Sequence, residues 1–212
     1  MWKEFTTFNG EFHKDSRAAL VFFMVMYQLT TDLLPLHYTS EAYIKLMKND
    51  NNWLKAMEAI ISKSDAKTLA AQLYTAFKKA QKDTDNHRVW GDVHRLEIGP
   101  FISRIPVLGK KFVKNEMPAS GTTNTLMKTA HEFTNEINST YYGSCSRHIS
   151  DLTDPDANWF LLLGGQDGDI GSAANADQIE LWEKGDYIQM PLQLETVRKL
   201  YNFHVTRFIP AN

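Results

Sequence analysis

Val89-Trp90-Gly91-Asp92-Val93-His94-Arg95-Leu96-Glu97-Ile98 is the stretch on which the reading of the fold turns. It reads as extended backbone and is followed by Gly99-Pro100. Before it, apolar residues recur at helical spacing; after it, short extended runs alternate with short helices. Helices first, then strands with helices, is an α+β order. It divides the chain into a mainly helical segment, residues 1–85, and a strand-rich segment, residues 86–212, that completes the same domain. The 212 residues are 43% hydrophobic, enough for a packed core, so general disorder is excluded. Lys and Arg number 23 against 25 acidic residues, which leaves no basic footprint for nucleic acid. One cysteine, Cys145, excludes an intramolecular disulfide and a cysteine-based zinc cluster.

On the N-terminal side, residues 14–34 read as a helix capped by Asp15 or Ser16, apolar nearly all round and therefore buried on most sides. Pro35 is expected to end it. Its apolar run, residues 18–27, is half of the roughly 20 residues a membrane span needs. Acidic Glu4, Glu11 and Asp15 precede the run and no small-x-small site follows it, so neither a signal peptide nor a membrane partner is expected. A short helix begins at Ser40 and covers 40–47. Residues 51–61 place Leu54, Met57, Ile60 and Ile61 on one face. Residues 65–81 do the same with Leu69, Leu73, Ala76, Phe77 and Ala80, capped by Ser64 or Asp65. Lys78, Lys79 and Lys82 read as a solvated helix end that suits the dipole.

On the C-terminal side, residues 101–118 read as loop with short elements. Leu126, Ala130, Phe133 and Ile137 have helical spacing and fit an ordered loop equally well. Residues 144–152 and 158–163 read as neighbouring strands joined by Thr153-Asp154-Pro155-Asp156. The continuous apolar run Trp159-Phe160-Leu161-Leu162-Leu163 predicts burial on both faces. Short helices over 175–184 and 192–201 and a last strand over 203–209 complete the pattern.

Chemistry is sparse. Gly164-Gly165-Gln166-Asp167-Gly168-Asp169-Ile170-Gly171 looks like a phosphate loop, but it lacks Gly-Lys-Ser/Thr and its two aspartates repel an anion. Asp167 and Asp169 are spaced like the first calcium ligands, yet Gly171 and Gln178 stand where later ligands belong, so turn-forming Asp and Gly is the reading. Cys145 and His148 would point to opposite faces of a strand, and Cys145 reads as buried and inert. His13, His37, His87, His94, His131, His148 and His204 include no i, i+4 helical pair and no H-E-x-x-H. Asn138-Ser139-Thr140 is an N-glycosylation acceptor only in a secreted eukaryotic protein. No catalytic, cofactor-binding or metal-ligating residue is assigned.

Five blocks together resemble the penicillin amidase family (penicillin acylase and acyl-homoserine lactone acylase) of N-terminal-nucleophile hydrolases. They are Phe8-Asn9-Gly10 with Asp15-Ser16-Arg17-Ala18-Ala19; Trp90-Gly91-Asp92-Val93-His94-Arg95; Gly121-Thr122-Thr123-Asn124; Tyr142-Gly143-Ser144-Cys145-Ser146-Arg147-His148-Ile149-Ser150-Asp151-Leu152; and Gly165-Gln166-Asp167-Gly168-Asp169 running to Asp177-Gln178-Ile179-Glu180-Leu181-Trp182 and Gly185-Asp186-Tyr187. Their order matches the C-terminal part of the family's large β subunit. The chain departs from the family at Asp167-Gly168-Asp169-Ile170, commonly Ser-Gly-Asn-Pro, and at Ala173-Ala174-Asn175, usually Pro-His-Tyr.

The resemblance implies the C-terminal portion of an αββα sandwich. It implies hydrolysis of a linear acyl–amine amide by a serine freed at the β-subunit N-terminus, whose own α-amine is the base. An asparagine and a backbone N–H hold the oxyanion. None of these groups aligns to a residue here, so the implied partners are the α subunit and the N-terminal part of the β subunit. The implied location is periplasmic or secreted. Strands whose facing layer is absent would be loosely packed. The alternative is a non-catalytic, stand-alone binding or structural module of the same fold.

Overall fold

Two helices open the chain, α1 (Trp2–Thr6) and α2 (Arg17–His37). The computed structural model describes residues 1–48, 52–98, 115–140, 142–169, 171–202 and 208, so most of the 101–118 loop and of the 203–209 strand lies outside the described residues. Contacts group the chain into two compact units, Met1–Ser144 and Cys145–Asn212.

In the first unit the Ser16 hydroxyl accepts the Ala19 N–H at 3.1 Å and starts α2. The helix does not stop at Pro35: it runs to His37, and Tyr38 N–H still reaches Leu34 C=O at 2.9 Å. Proline removes its own N–H bond and crowds the Thr31 carbonyl four residues back, a cost that burial of Leu33 and Leu34 in the same turn offsets. By length and composition α2 could cross a membrane. Here its buried residues, from Ala19 to Leu34, form the core of the unit. Around it pack α1, α3 (Ser40–Lys48), α4 (Asn52–Ile61) and α5 (Ala66–Thr84), the last capped by the Asp65 carboxylate, which accepts the Thr68 N–H at 2.9 Å. Ala56, Met57, Ile60, Ala76 and Ala80 carry the buried faces of α4 and α5; Leu54 is 37% exposed.

Thr30 is fully buried in α2, and its hydroxyl has no hydrogen-bond partner among the described residues. Thr30→Val keeps the shape and removes the unmet group. It is expected to stabilise the unit by about 1 kcal/mol, read as a higher urea midpoint at unchanged slope. A lower midpoint would show that the hydroxyl is bonded after all.

The stretch read as extended over 89–98 begins instead with one helical turn, α6 (Trp90–Val93), and only then becomes β1 (His94–Ile98). The cause is Asp92, whose carboxylate accepts the Arg88 and Val89 N–H groups at 2.6 and 3.1 Å and pulls the chain into a turn. Next come β2 (Asn115–Pro118), β3 (Thr129–Ala130), β4 (Asn138–Thr140) and β5 (Tyr142–Gly143). β1 is the middle of a three-stranded sheet, antiparallel to β2 and parallel to β4, and β3 pairs with β5. The 126–137 segment is therefore turns and short strands rather than helix, with Leu126 and Ile137 in solvent.

In the second unit β6 (Ser146–Ser150), β7 (Asn158–Leu162) and β8 (Ile188–Gln189) form an antiparallel sheet, β7 central. The β6–β7 hairpin lies where the sequence placed it. α7 (Ile179–Lys184) packs on β7, and α8 (Leu194–Leu200) follows. The 175–184 helix is thus a 3₁₀ turn, Ala173–Asn175, and then α7. Burial of β7 on both faces does not hold: Leu161 is buried, whereas Trp159, Phe160 and Leu162 are half-buried. Among the described residues α7 packs on this strand, and the flanking side chains on both faces stay only partly covered. The whole is mixed helix and sheet, an α+β fold.

Candidate functional site

Three of the quoted blocks, far apart in sequence, meet in the first unit. Trp90 N–H donates to Ser16 C=O at 3.1 Å, Gly91 N–H to Lys14 C=O at 2.7 Å, and Gly121 N–H to Phe12 C=O at 2.6 Å. The indole Nε1–H of Trp90 donates to Gly121 C=O at 3.0 Å. Arg17 closes the junction with hydrogen bonds to the carbonyls of Thr84, His87 and Arg88. Backbone threads this closely leave no room for side chains. A Cβ on Gly91 would lie 2.7 Å from Pro118 Cβ. A Cβ on Gly121, where φ is +89°, would lie 2.0 Å from Met127 C=O. The Trp-Gly-Asp-Val-His stretch is thus a packing unit in which each residue has a structural partner. Burial works against ionisation of Asp92, but the two N–H bonds and the charges of His87 and Arg88 outweigh it and hold its pKa below the ordinary carboxylate value.

His94 is the buried centre of this junction. Its ring stacks on Trp90 at 4.7 Å and meets His131 edge-on at 4.8 Å. Nδ1 lies 2.9 Å from Ala119 C=O and Nε2 3.3 Å from Thr129 C=O. Burial, with His131 beside it, pushes its pKa down to about 4, so the imidazole is neutral at physiological pH. The neutral ring donates one proton, and the shorter contact assigns it to Nδ1. Such a histidine pins two loops together; it is not a ready base.

A cavity of about 690 Å³ shares Phe12, Phe23 and Thr122 with the junction. Phe22 and Met26 of α2 extend its apolar wall, and Trp53 stacks flat on Phe133 at 4.1 Å with 11° between the rings. Polar lining comes from the 122–125 turn, with Lys48 and Glu132. The turn uses its own hydroxyls: Thr125 Oγ1 accepts Thr122 N–H at 2.8 Å, Thr122 Oγ1 accepts Asn124 N–H at 3.0 Å, and Thr123 Oγ1 accepts His131 N–H at 3.4 Å. The cavity therefore offers binding rather than an activated nucleophile. Sequence reasoning missed it. Its signal was Phe22 and Met26 at i, i+4 in a helix apolar all round, where one stripe serves something other than the core.

In the second unit the quoted blocks are also structural. Gln178 is buried; its N–H donates to Gly164 C=O and its Oε1 accepts the Leu162 N–H, both at 2.9 Å. The Arg147 guanidinium lies over the Trp182 ring at 4.4 Å and donates to Trp182 C=O at 3.2 Å. In the 164–171 loop Asp167 accepts the Asp169 N–H and Asp169 the Gly171 N–H, each at 2.9 Å, the turn chemistry expected from sequence. Cys145 is exposed, not buried as expected, because it precedes β6, an edge strand. His148 faces Ser150 instead, Nε2 to Oγ at 3.0 Å, both exposed. Among the described residues no group of three or more His, Cys, Asp or Glu could hold a metal ion.

No curated protein matches the chain. The model of the penicillin amidase family matches residues 2–199, so the geometry above is the framework of a hydrolase-family fold, and the chain belongs to the penicillin amidase family.

Proposed function

We propose that this chain is the C-terminal segment of an acylase catalytic chain, and that it carries the scaffold while the nucleophile comes from elsewhere in the enzyme. The family match over residues 2–199 supports this reading, as does the use of Trp90, Gly91 and Gly121 in tying backbone together. The reaction is hydrolysis of a linear amide. An N-terminal serine attacks the acyl carbonyl, its α-amine takes the hydroxyl proton and passes it to the leaving amine, and water releases the acid. The partners are the α subunit and the N-terminal part of the β subunit, in the periplasm or outside the cell.

The second unit leaves Leu152, Leu192, Leu194, Leu200 and Phe208 exposed, and this supports a missing apolar neighbour there. The loose packing inferred from sequence then applies to this unit, since the first has its own buried core.

Hydrolysis of an N-acyl-4-nitroanilide tests the reading. The purified chain is expected to work at background rate, and a polypeptide supplying the N-terminal serine and the rest of the family sequence is expected to add activity. Turnover by the chain alone would overturn it.

A further inference from the structure

We propose that Asn9 is a modification site: its side chain closes on the Gly10 nitrogen, ammonia leaves, and the residue becomes aspartate or isoaspartate. The inference stands apart from the acylase reading. The sequence holds one Asn-Gly pair, Asn9-Gly10. It lies between α1 and α2, and Asn9, Gly10 and Glu11 are all exposed. A Cβ built on Gly10 would meet nothing within 4 Å, so the space around it is open. Its N–H has no hydrogen-bond partner among the described residues, and no bond must break before it reacts. The Asn9 side chain is already folded back along the chain, since its Oδ1 accepts the Glu11 N–H at 3.0 Å. That bond draws Cγ toward the intervening Gly10 nitrogen and gives Oδ1 a donor where negative charge develops on attack.

The atoms balance. The Gly10 nitrogen bonds to Asn9 Cγ and gives up its proton, which solvent delivers to Nδ2. The Cγ–Nδ2 bond breaks, ammonia departs, and a succinimide ring remains. Water then opens the ring. Attack at Cγ leaves aspartate on the ordinary main chain; attack at the α-carbonyl routes the main chain through Cβ and Cγ as isoaspartate. Isoaspartate adds a methylene to the main chain between two fixed points. On one side Phe8 stacks on Phe22 at 4.6 Å. On the other, Phe12 C=O accepts the Gly121 N–H at 2.6 Å and the Phe12 ring meets Trp90 at 5.2 Å. The extra length strains or slackens that span, so the isoaspartyl chain holds α1, whose Phe5 stacks on Phe22, less firmly.

Peptide mapping by mass spectrometry, with isoaspartyl methyltransferase labelling, tests this on the full chain held in mildly alkaline buffer. Asn9 is expected to convert about tenfold faster than Asn124, which is exposed but followed by Thr125 and its Cβ. The folded chain should convert Asn9 no more slowly than the urea-unfolded chain, because the bend supplies the geometry. Gly10→Ala and Asn9→Gln should each remove the fast reaction. Asn9→Gln keeps Gly10 and its φ of +91°, which guards against Gly10→Ala failing to fold. The aged chain should show a lower urea midpoint than the fresh one, and aged Asn9→Gln an unchanged one. Asn9 intact while Asn124 converts, protection of Asn9 by folding, or undiminished conversion in a folded Gly10→Ala would overturn the site. Equal midpoints for the fresh and isoaspartyl chains would overturn the loosening of α1.

Discussion

Trp90→Ala is expected to abolish cooperative folding of the first unit. The side chain is fully buried, between Phe12 at 5.2 Å, Phe23 at 4.8 Å and the His94 ring. Truncating a core aromatic costs about 3–5 kcal/mol. The lost indole N–H also leaves Gly121 C=O unpaired inside the protein, which adds roughly 1–3 kcal/mol. Together these rival the whole stability of an ordinary domain, about 5–15 kcal/mol. Trp90→Phe separates the two contributions: it keeps a ring and loses the hydrogen bond, so a folded but weaker protein is expected. Trp2→Ala is the contrast, because Trp2 is 63% exposed and its removal should be nearly silent. Urea melts followed by far-UV circular dichroism give the comparison. A Trp90→Ala midpoint close to that of Trp2→Ala would refute the central role of the junction.

The α+β order and helices α2 to α5 were legible in the sequence because their determinants are local. Ser16 and Asp65 cap, and Met57, Ile60, Ala76 and Ala80 repeat at helical spacing onto a buried face. Pro35 misled because a proline is a local signal, while the anchors of its turn, Leu33 and Leu34, are tertiary. The α6 turn was missed because Asp92 bends its own backbone through a side-chain bond that no apolar pattern records. Trp159 to Leu163 announced burial on two faces, but apolarity states only what a strand can bury, not what arrives to cover it. The cavity was illegible for a further reason. Its lining comes from residues 10 and 12, 22–23 and 26, 47–48, 53–54, 122–125 and 131–133, and no periodicity joins segments so distant.

Acidification is expected to destabilise the first unit before carboxylates titrate in bulk. His94 is held neutral with a folded-state pKa of about 4, against about 6.5 in an unfolded chain. The sign follows from proton binding: between those values the unfolded state takes up a proton that the folded state refuses, so stability falls as pH falls. The contribution is intact above about 6.5 and is lost progressively down to about 4, roughly 3 kcal/mol in all. Burial is the main cause, and the groups facing the ring explain why no rescue is at hand. Trp90 and the Ala119 and Thr129 carbonyls carry no charge, and His131, 4.8 Å away, only opposes a second proton. His94→Phe would keep the stack on Trp90 and remove the titrating nitrogen. It should lower stability at neutral pH, by the lost bond to Ala119 C=O, and flatten the dependence between pH 6.5 and 4. Urea midpoints at intervals across that range decide it. An equally steep slope in His94→Phe would assign the acid sensitivity to another group.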